Sequence, residues 1–300
     1  MIRLGVDFGG TKIEVAALDD MGAFRARRRT PNPGDYRSAI EVVRGLVAWA
    51  EEEAGAPGAP VGVGMPGSAS PLTGKTRNSN STWLNGEVFG SDLEAAIGRP
   101  VRTANDANCF ALSEARDGAG TGASVVFGVI LGTGCGGGLV VGGALVGGAN
   151  GVAGEWGHIP LPWPTAAELD SPQCWCGRTG CLETWISGTG FSRDYEGATG
   201  EHLAAEAIVA RARAGEPGAT AAFERYVDRL GRGLAVVCDI ADPDVIVLGG
   251  GMSNIAEIYP EIGPIVAEHV FSDSFTTPVR RAVHGDSSGV RGAAWLWPAS

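Results

Sequence analysis

Three sets of residues in this sequence carry groups suited to chemistry. The first is Asp7-Phe8-Gly9-Gly10-Thr11-Lys12, which sets a carboxylate at the end of an apolar run, then two glycines, a hydroxyl and a cation. Glycines let backbone N–H groups approach phosphate oxygens, Thr11 donates a hydrogen bond and Lys12 adds positive charge. Asp7 suits a magnesium ion, a hard cation that prefers oxygen ligands. Read alone, the same residues also make a tight hairpin turn with a solvated lysine. Two further glycine runs, Gly132-Thr133-Gly134 and Gly249-Gly250-Gly251, tip the reading toward a nucleotide. These turns lack the Gly-Lys-Ser/Thr order of a Walker loop, so a P-loop fold is not expected.

The second set is His158, Cys174, Cys176 and Cys181. Zinc takes four tetrahedral nitrogen and sulfur ligands in a closed structural site, and three cysteines with one histidine are an accepted set. The loop Cys174-Trp175-Cys176-Gly177-Arg178-Thr179-Gly180-Cys181 is compact enough to wrap one ion. A disulfide is disfavoured in a cytosolic setting, and free thiols leave the clustering without a reason. Cys109, Cys135 and Cys238 stand singly and read as small buried apolar residues. Four protein ligands leave no position for water, so the site is structural in kind. An ion there ties the Glu155–His158 turn to the Cys181–Glu183 turn and so fixes the carboxylates of Glu155 and Glu183. If one nitrogen of His158 binds metal, the other N–H stays free to donate to a ligand hydroxyl.

The third set is Asn105-Asp106, between a strand-like Val101-Arg102-Thr103-Ala104 and a helix-like run from Ala107 to Ala115. An isolated Asp at a helix start is most often an N-cap. The helix N-terminus also favours its ionised form, which suits a group that accepts a hydroxyl proton during phosphoryl transfer.

These residues need elements to hold them. Leu4 to Leu18 reads as two strands joined by the first glycine turn, and Tyr36 to Ala54 as a helix with Ile40, Val43, Leu46, Val47 and Ala50 at helical spacing. Val61 to Met65 is the next strand. Val125 to Leu131, the second glycine turn and Leu139 to Val141 repeat the opening pattern, which predicts two similar α/β units, each presenting one phosphate-binding turn. Residues 203 to 241 read as mainly helical, Val245 to Leu248 as a buried strand, and Gly289 to Leu296 as a last helix. The 300 residues are 44% hydrophobic and 19% charged, a globular composition. The net charge of −11 argues against a nucleic-acid surface. The first residues lack the pattern of a signal peptide. Residues 118 to 154 carry no charge, yet glycine and polar residues break them before a membrane span is reached, so they read as buried strands in a cytoplasmic protein.

Taken together, Asp7-Phe8-Gly9-Gly10-Thr11-Lys12, Asn105-Asp106, Gly132-Thr133-Gly134, Gly154-Glu155-Trp156-Gly157-His158, the Cys174–Glu183 loop and Gly249-Gly250-Gly251 resemble the ROK family of sugar kinases and repressors. The resemblance runs through essentially the whole chain. It implies the two-lobe α/β fold of the actin/hexokinase-like (ribonuclease H-like) ATPases with a structural zinc site. The expected lobes are residues 1–105 plus 288–300, with the first phosphate loop and a sugar loop, and residues 106–287, with the second phosphate loop, the zinc site and the adenosine site. The sugar lies at the base of a cleft that closes when substrate binds.

The resemblance also implies roles. Asp106 is the catalytic base; Gly67, Asn80, Asn105, Asp106, Glu155, His158 and Glu183 contact the sugar, with Asn78 the other choice for Asn80. Asp7, Gly9, Gly10, Thr11, Lys12, Thr133, Gly134, Gly249, Gly250 and Gly251 serve ATP and Mg2+; His158, Cys174, Cys176 and Cys181 hold Zn2+. The segments Asn78 to Gly86 and His284 to Pro298 look most like bacterial fructokinases with some mannokinase activity, so the expected reaction is phosphorylation of the 6-hydroxyl of fructose. The alternatives are another hexose (mannose, glucose or N-acetylglucosamine) or a sugar-binding regulator without catalysis. A DNA-binding extension is not expected, since the kinase pattern begins almost at Met1, and analogy favours a homodimer.

Overall fold

The computed structural model describes residues 1–298; residues 299 and 300, which the expected first lobe included, lie outside the described residues. The strands are β1 (Arg3–Phe8), β2 (Lys12–Leu18), β3 (Phe24–Pro31), β4 (Val61–Met65), β5 (Ser68–Ala69), β6 (Thr76–Arg77), β7 (Val101–Asn105), β8 (Val125–Leu131), β9 (Cys135–Val141), β10 (Ala144–Leu145), β11 (Val245–Gly249) and β12 (Val279–Arg281). The helices are α1 (Tyr36–Ala54), α2 (Phe89–Ile97), α3 (Asp106–Asp117), α4 (Glu183–Ile186), α5 (Gly188–Thr199), α6 (Ala205–Arg213), α7 (Pro217–Ala241), α8 (Ile258–His269) and α9 (Ser288–Trp295).

Two five-stranded sheets repeat one plan. The first has the order β3-β2-β1-β4-β7 and the second β10-β9-β8-β11-β12. In each, a strand followed by a glycine turn is joined on its other side by parallel strands: β1 to β4 to β7, and β8 to β11 to β12. The repeat read from the two glycine turns is therefore a repeat of topology.

The chain divides into two compact units, residues 1–122, 138–153 and the described residues from 283 onward in the first and residues 123–137 and 154–282 in the second. This differs from the expected division after Asn105. Helix α3 stays in the first unit because it packs on α9 without room to spare. A Cβ at Gly292 of α9 would fall on the Cys109 carbonyl of α3, and one at Gly62 of β4 on the Ala293 carbonyl of α9. Backbones in such contact cannot belong to separate bodies.

The first core lies between the sheet and α1. Asp35 caps α1 by accepting the Ser38 N–H, and Gly55 ends it in the left-handed region at φ 59°. The expected face of α1, including Ile40, Val43, Leu46, Val47 and Ala50, is buried against Val6, Phe8 and Val15. Strand β3 was not read from the sequence, because four arginines lie within its eight residues. It forms since Arg27 and Arg29 both pair with Glu14 of β2, a carboxylate only 1% exposed. The uncharged stretch 118–154 is β8, β9, β10 and their turns, and among the described residues no helix is long and apolar enough to cross a membrane.

Candidate active site

In the first unit, parallel pairing sets Asp7 beside Gly64 and Met65 beside Asn105. The turn after β1, Pro66-Gly67 after β4 and Asn105-Asp106 after β7 thus leave the sheet at one edge. The carboxyl ends of parallel strands are where open α/β sheets take ligands. Asp7 and Asp106 feel each other there: burial, then the charges of Asp106 and Glu14, push the Asp7 carboxyl up to about 6. Lys12 and Arg29 pull it down by less, and neither forms an ion pair with it among the described residues, so its oxygens fit magnesium as a partner.

Asp106 is the first residue of α3, and its neighbour takes the cap. Asn105 Oδ1 accepts the Ala107 N–H at 2.8 Å, while Asn105 Nδ2 donates to the Gly67 carbonyl at 3.2 Å. Asp106 Oδ1 shares the Ala107 N–H at 2.8 Å. The Asp106 side chain is open to solvent, yet enough protein surrounds it at longer range that desolvation raises its pKa. The N–H groups of Ala107 and Asp106 and the Asn105 side chain lower it by less. The helix N-terminus pulls toward the ionised form, as the sequence suggests, and desolvation opposes it with the larger effect.

The turn Gly9-Gly10-Thr11 is held from behind. Asn32 Nδ2 donates to the Gly9 carbonyl at 2.7 Å, and the Asn32 N–H to the Thr11 carbonyl at 2.9 Å. The Gly10 and Thr11 N–H groups have no acceptor among the described residues. Gly67, at φ 76°, lies against Arg77 and Ser79 too closely for any side chain. Asn85 clamps Ser79, accepting its N–H at 2.9 Å and donating to its carbonyl at 3.0 Å. Asn80 is exposed beside this clamp and makes no hydrogen bond among the described residues.

The second unit builds a matching turn. Gly188 N–H donates to the Gly132 carbonyl at 2.7 Å, and the Thr189 hydroxyl to the Thr133 carbonyl at 2.7 Å. Again the N–H groups of the middle pair, Thr133 and Gly134, have no acceptor among the described residues. Two consecutive free donors on a turn whose carbonyls are tied back make an anion cradle. Gly249 pairs with Ile130, which sets the third glycine run beside the end of β8. Gly250, at φ 81°, lies on the Leu131 backbone where a Cβ could not fit.

The cluster of His158, Cys174, Cys176 and Cys181 forms as the sequence reading expects, with one ligand atom from each lying within 4.8 Å of all the others. Cys174 Sγ stands 3.7 Å from His158 Nδ1, and Cys176 Sγ 3.6 Å from Cys181 Sγ. Ligand atoms around tetrahedral zinc stand roughly 3.6–3.8 Å apart, so the donor set fits that ion. Burial, then the neighbouring thiols, push the Cys181 thiol up to about 12. A cation relieves that crowding by taking thiolates. The turns are also joined through backbone, Leu182 N–H to the Ile159 carbonyl at 2.8 Å and Leu161 N–H to the Gly180 carbonyl at 2.9 Å.

Glu183 opens α4, one residue past the loop's last cysteine and its following leucine. Its Oε2 accepts the Cys135 N–H at 2.9 Å, and its Oε1 the Trp175 indole N–H at 2.6 Å. Glu155 precedes a single 3-10 turn, Trp156–His158, which the buried Trp156 anchors by donating to the Gly136 carbonyl at 3.1 Å. Asn32, Asn85, Trp175 and Thr189 were missed in the sequence. Their signals were slight: an Asn-Pro-Gly turn, a third asparagine in the sugar loop, an aromatic between two cysteines, and Ser187-Gly188-Thr189-Gly190.

Comparison with known proteins agrees with this geometry. Residues 3–300 match the ROK family. The N-acetyl-D-glucosamine kinase of Shigella flexneri is 40% identical over 297 residues, covering 97% of this chain and 98% of that protein. The crystal structure of a ROK hexokinase from Thermus thermophilus superposes with a TM-score of 0.88 at 31% identity, covering 99% and 97% of the two chains. A ROK family glucokinase from Streptomyces griseus, solved with glucose and AMPPNP, superposes with a TM-score of 0.76 at 30% identity over 99% of each chain. On a match that runs from residue 3 to the last residue, the chain belongs to the ROK family, as one of its sugar kinases.

Proposed function

We propose that this kinase moves the γ-phosphate of ATP to the 6-hydroxyl of N-acetyl-D-glucosamine, with Asp106 as general base. The observation that carries the chemistry is Asp106 itself: a carboxylate open to solvent, next to a helix cap already filled by Asn105, its pKa raised by its surroundings. The choice of sugar rests on the Shigella flexneri relative and replaces fructose, which only the resemblance of Asn78 to Gly86 and of the tail supports.

In this reading Asn105, Glu155, His158 and Glu183 hold sugar hydroxyls, and Gly67 and Asn80 border the sugar. As the 6-oxygen attacks the γ-phosphorus, its proton passes to Asp106, the new O–P bond forms and the bond to the β-phosphate oxygen breaks, releasing ADP. The free N–H groups of Gly10, Thr11, Thr133 and Gly134 meet the developing phosphate charge. Gly9, Lys12 and the Gly249-Gly250-Gly251 run complete the nucleotide contacts. Asp7 holds magnesium, which when bound neutralises phosphate charge. His158 Nδ1, Cys174, Cys176 and Cys181 hold zinc, leaving His158 Nε2 for the sugar.

The test is a panel of kcat/KM values for N-acetylglucosamine, fructose, mannose and glucose, with the phosphorylated position read by NMR. A higher value for fructose overturns the sugar assignment, and no hexose-dependent ADP release overturns the kinase reading in favour of a regulator. Asp106→Asn is expected to lower kcat by about 10³-fold with sugar binding retained.

A further inference from the structure

Trp175 is unusual among the eight tryptophans: the residue is 66% exposed, yet its ring is tied to two polar side chains. Its indole N–H donates to Glu183 Oε1 at 2.6 Å. Its ring meets the His158 ring edge to face, with centroids 5.1 Å apart. It also sits between Cys174 and Cys176, so metal ligation would fix the backbone on both sides of it. A solvent-facing indole held this way contributes little apolar burial, and its contacts are spent on the two side chains of this loop region that the proposed reaction assigns to the sugar.

We propose that Trp175 is a positioning residue for sugar recognition: with the Cys135 N–H on Glu183 Oε2, its indole N–H fixes both oxygens of Glu183, and its ring limits the rotation of His158. A carboxylate oxygen has room for two donors, so Oε2 of Glu183, which holds the Cys135 N–H alone, keeps capacity for a sugar hydroxyl while its orientation is set. Without the indole the carboxylate keeps the Cys135 N–H on Oε2 and only the long contact of the Cys174 thiol, 3.9 Å from Oε1, in which a metal-bound thiolate cannot donate. It must then be ordered when sugar binds, and that appears as lost affinity. The same turn of chain puts Cys135 directly after Gly134, so Glu183 also touches the second phosphate turn. That contact does not involve Trp175, and the effect of the indole is therefore confined to sugar.

This inference rests on the assignment of Glu183 and His158 to the sugar. Trp175→Phe keeps an aromatic ring beside His158 and removes only the N–H. The measurement is steady-state kinetics with N-acetylglucosamine and ATP, zinc content by atomic emission, and sugar affinity by calorimetry in wild type, Trp175→Phe, Glu183→Gln and the double variant. The expected result is a sugar KM raised about tenfold, the loss of one hydrogen bond to a charged acceptor, with kcat, ATP KM and zinc content unchanged. In the Glu183→Gln background the same change is expected to cost less than about twofold in affinity, because Trp175 acts through that carboxylate. An unchanged sugar KM in an active enzyme overturns the inference alone, and so does an equal loss in both backgrounds. A lowered sugar KM also overturns it, since the indole would then compete with the sugar for Glu183. Wild-type protein that neither binds nor phosphorylates any hexose overturns the functional reading and this inference with it.

Discussion

A carboxylate that accepts a hydroxyl proton works best with a pKa brought toward the operating pH. Burial moves Asp106 in that direction, although three hydrogen-bond donors pull the other way. The base form is the active one, so a raised pKa shifts the loss of activity to higher pH. We expect the acid limb of kcat/KM to lie above about 4, the ordinary carboxylate value, and activity to fall as pH drops through it. Asp7, pushed up to about 6, titrates nearby, so the profile is taken at saturating magnesium, which keeps that carboxyl ionised. A limb at about 4 would reject the assignment. The residue types of the candidate site were readable from sequence because phosphate, sugar and zinc would each demand a narrow chemistry, and the cysteines and histidine read as one cluster do stand together. Asn32 and Thr189 were not, since each acts on a turn from a distant part of the chain and any small polar residue looks alike there. The direction of the Asp106 shift was also hidden, being a property of surrounding mass rather than of neighbours in sequence.

At the scale of elements, hydrophobic period carried the reading. The hairpin of β1 and β2, helix α1 and strands β4, β8 and β11 were all predicted because their buried faces are regular. Strand β3 was lost to its arginines, whose partner Glu14 lies across the hairpin, and the division of the units was lost to a contact invisible in sequence. That contact is glycine on backbone. Gly289, Gly292 and the small residues of α9 let it press on β1, β4 and α3, and a Cβ at Gly289 would meet the Asp7 carboxylate at 3.0 Å. Helix α3 begins with Asp106, so the packing of α9 sets the height of the proposed base. Gly292→Ala must push α3 from α9 and is expected to cost about 3 kcal/mol or more, at the upper end for overpacking. Thermal unfolding reads the loss directly, and kcat should fall with it. A variant with wild-type unfolding temperature and turnover would show that the two helices are not held as tightly as the structure has them.

Over the whole molecule, zinc is the one proposed component that links folding to recognition. One four-ligand cluster predicts about one zinc per chain. Its removal leaves the Leu182–Ile159 and Leu161–Gly180 backbone bonds in place, so the turns stay joined while Cys174 to Cys181 loses its centre. What goes astray first is therefore His158 and the Trp175 contact with Glu183, both on the sugar side. The second phosphate turn keeps its ties to Gly188 and Thr189, which hold no metal. Chelation is then expected to raise the sugar KM about tenfold while the ATP KM changes less than about threefold, with both restored by added zinc. Should ATP affinity collapse in step with sugar affinity, the Cys135 N–H bond to Glu183 would be the stronger tie, and the cluster would be organising the nucleotide turn as well.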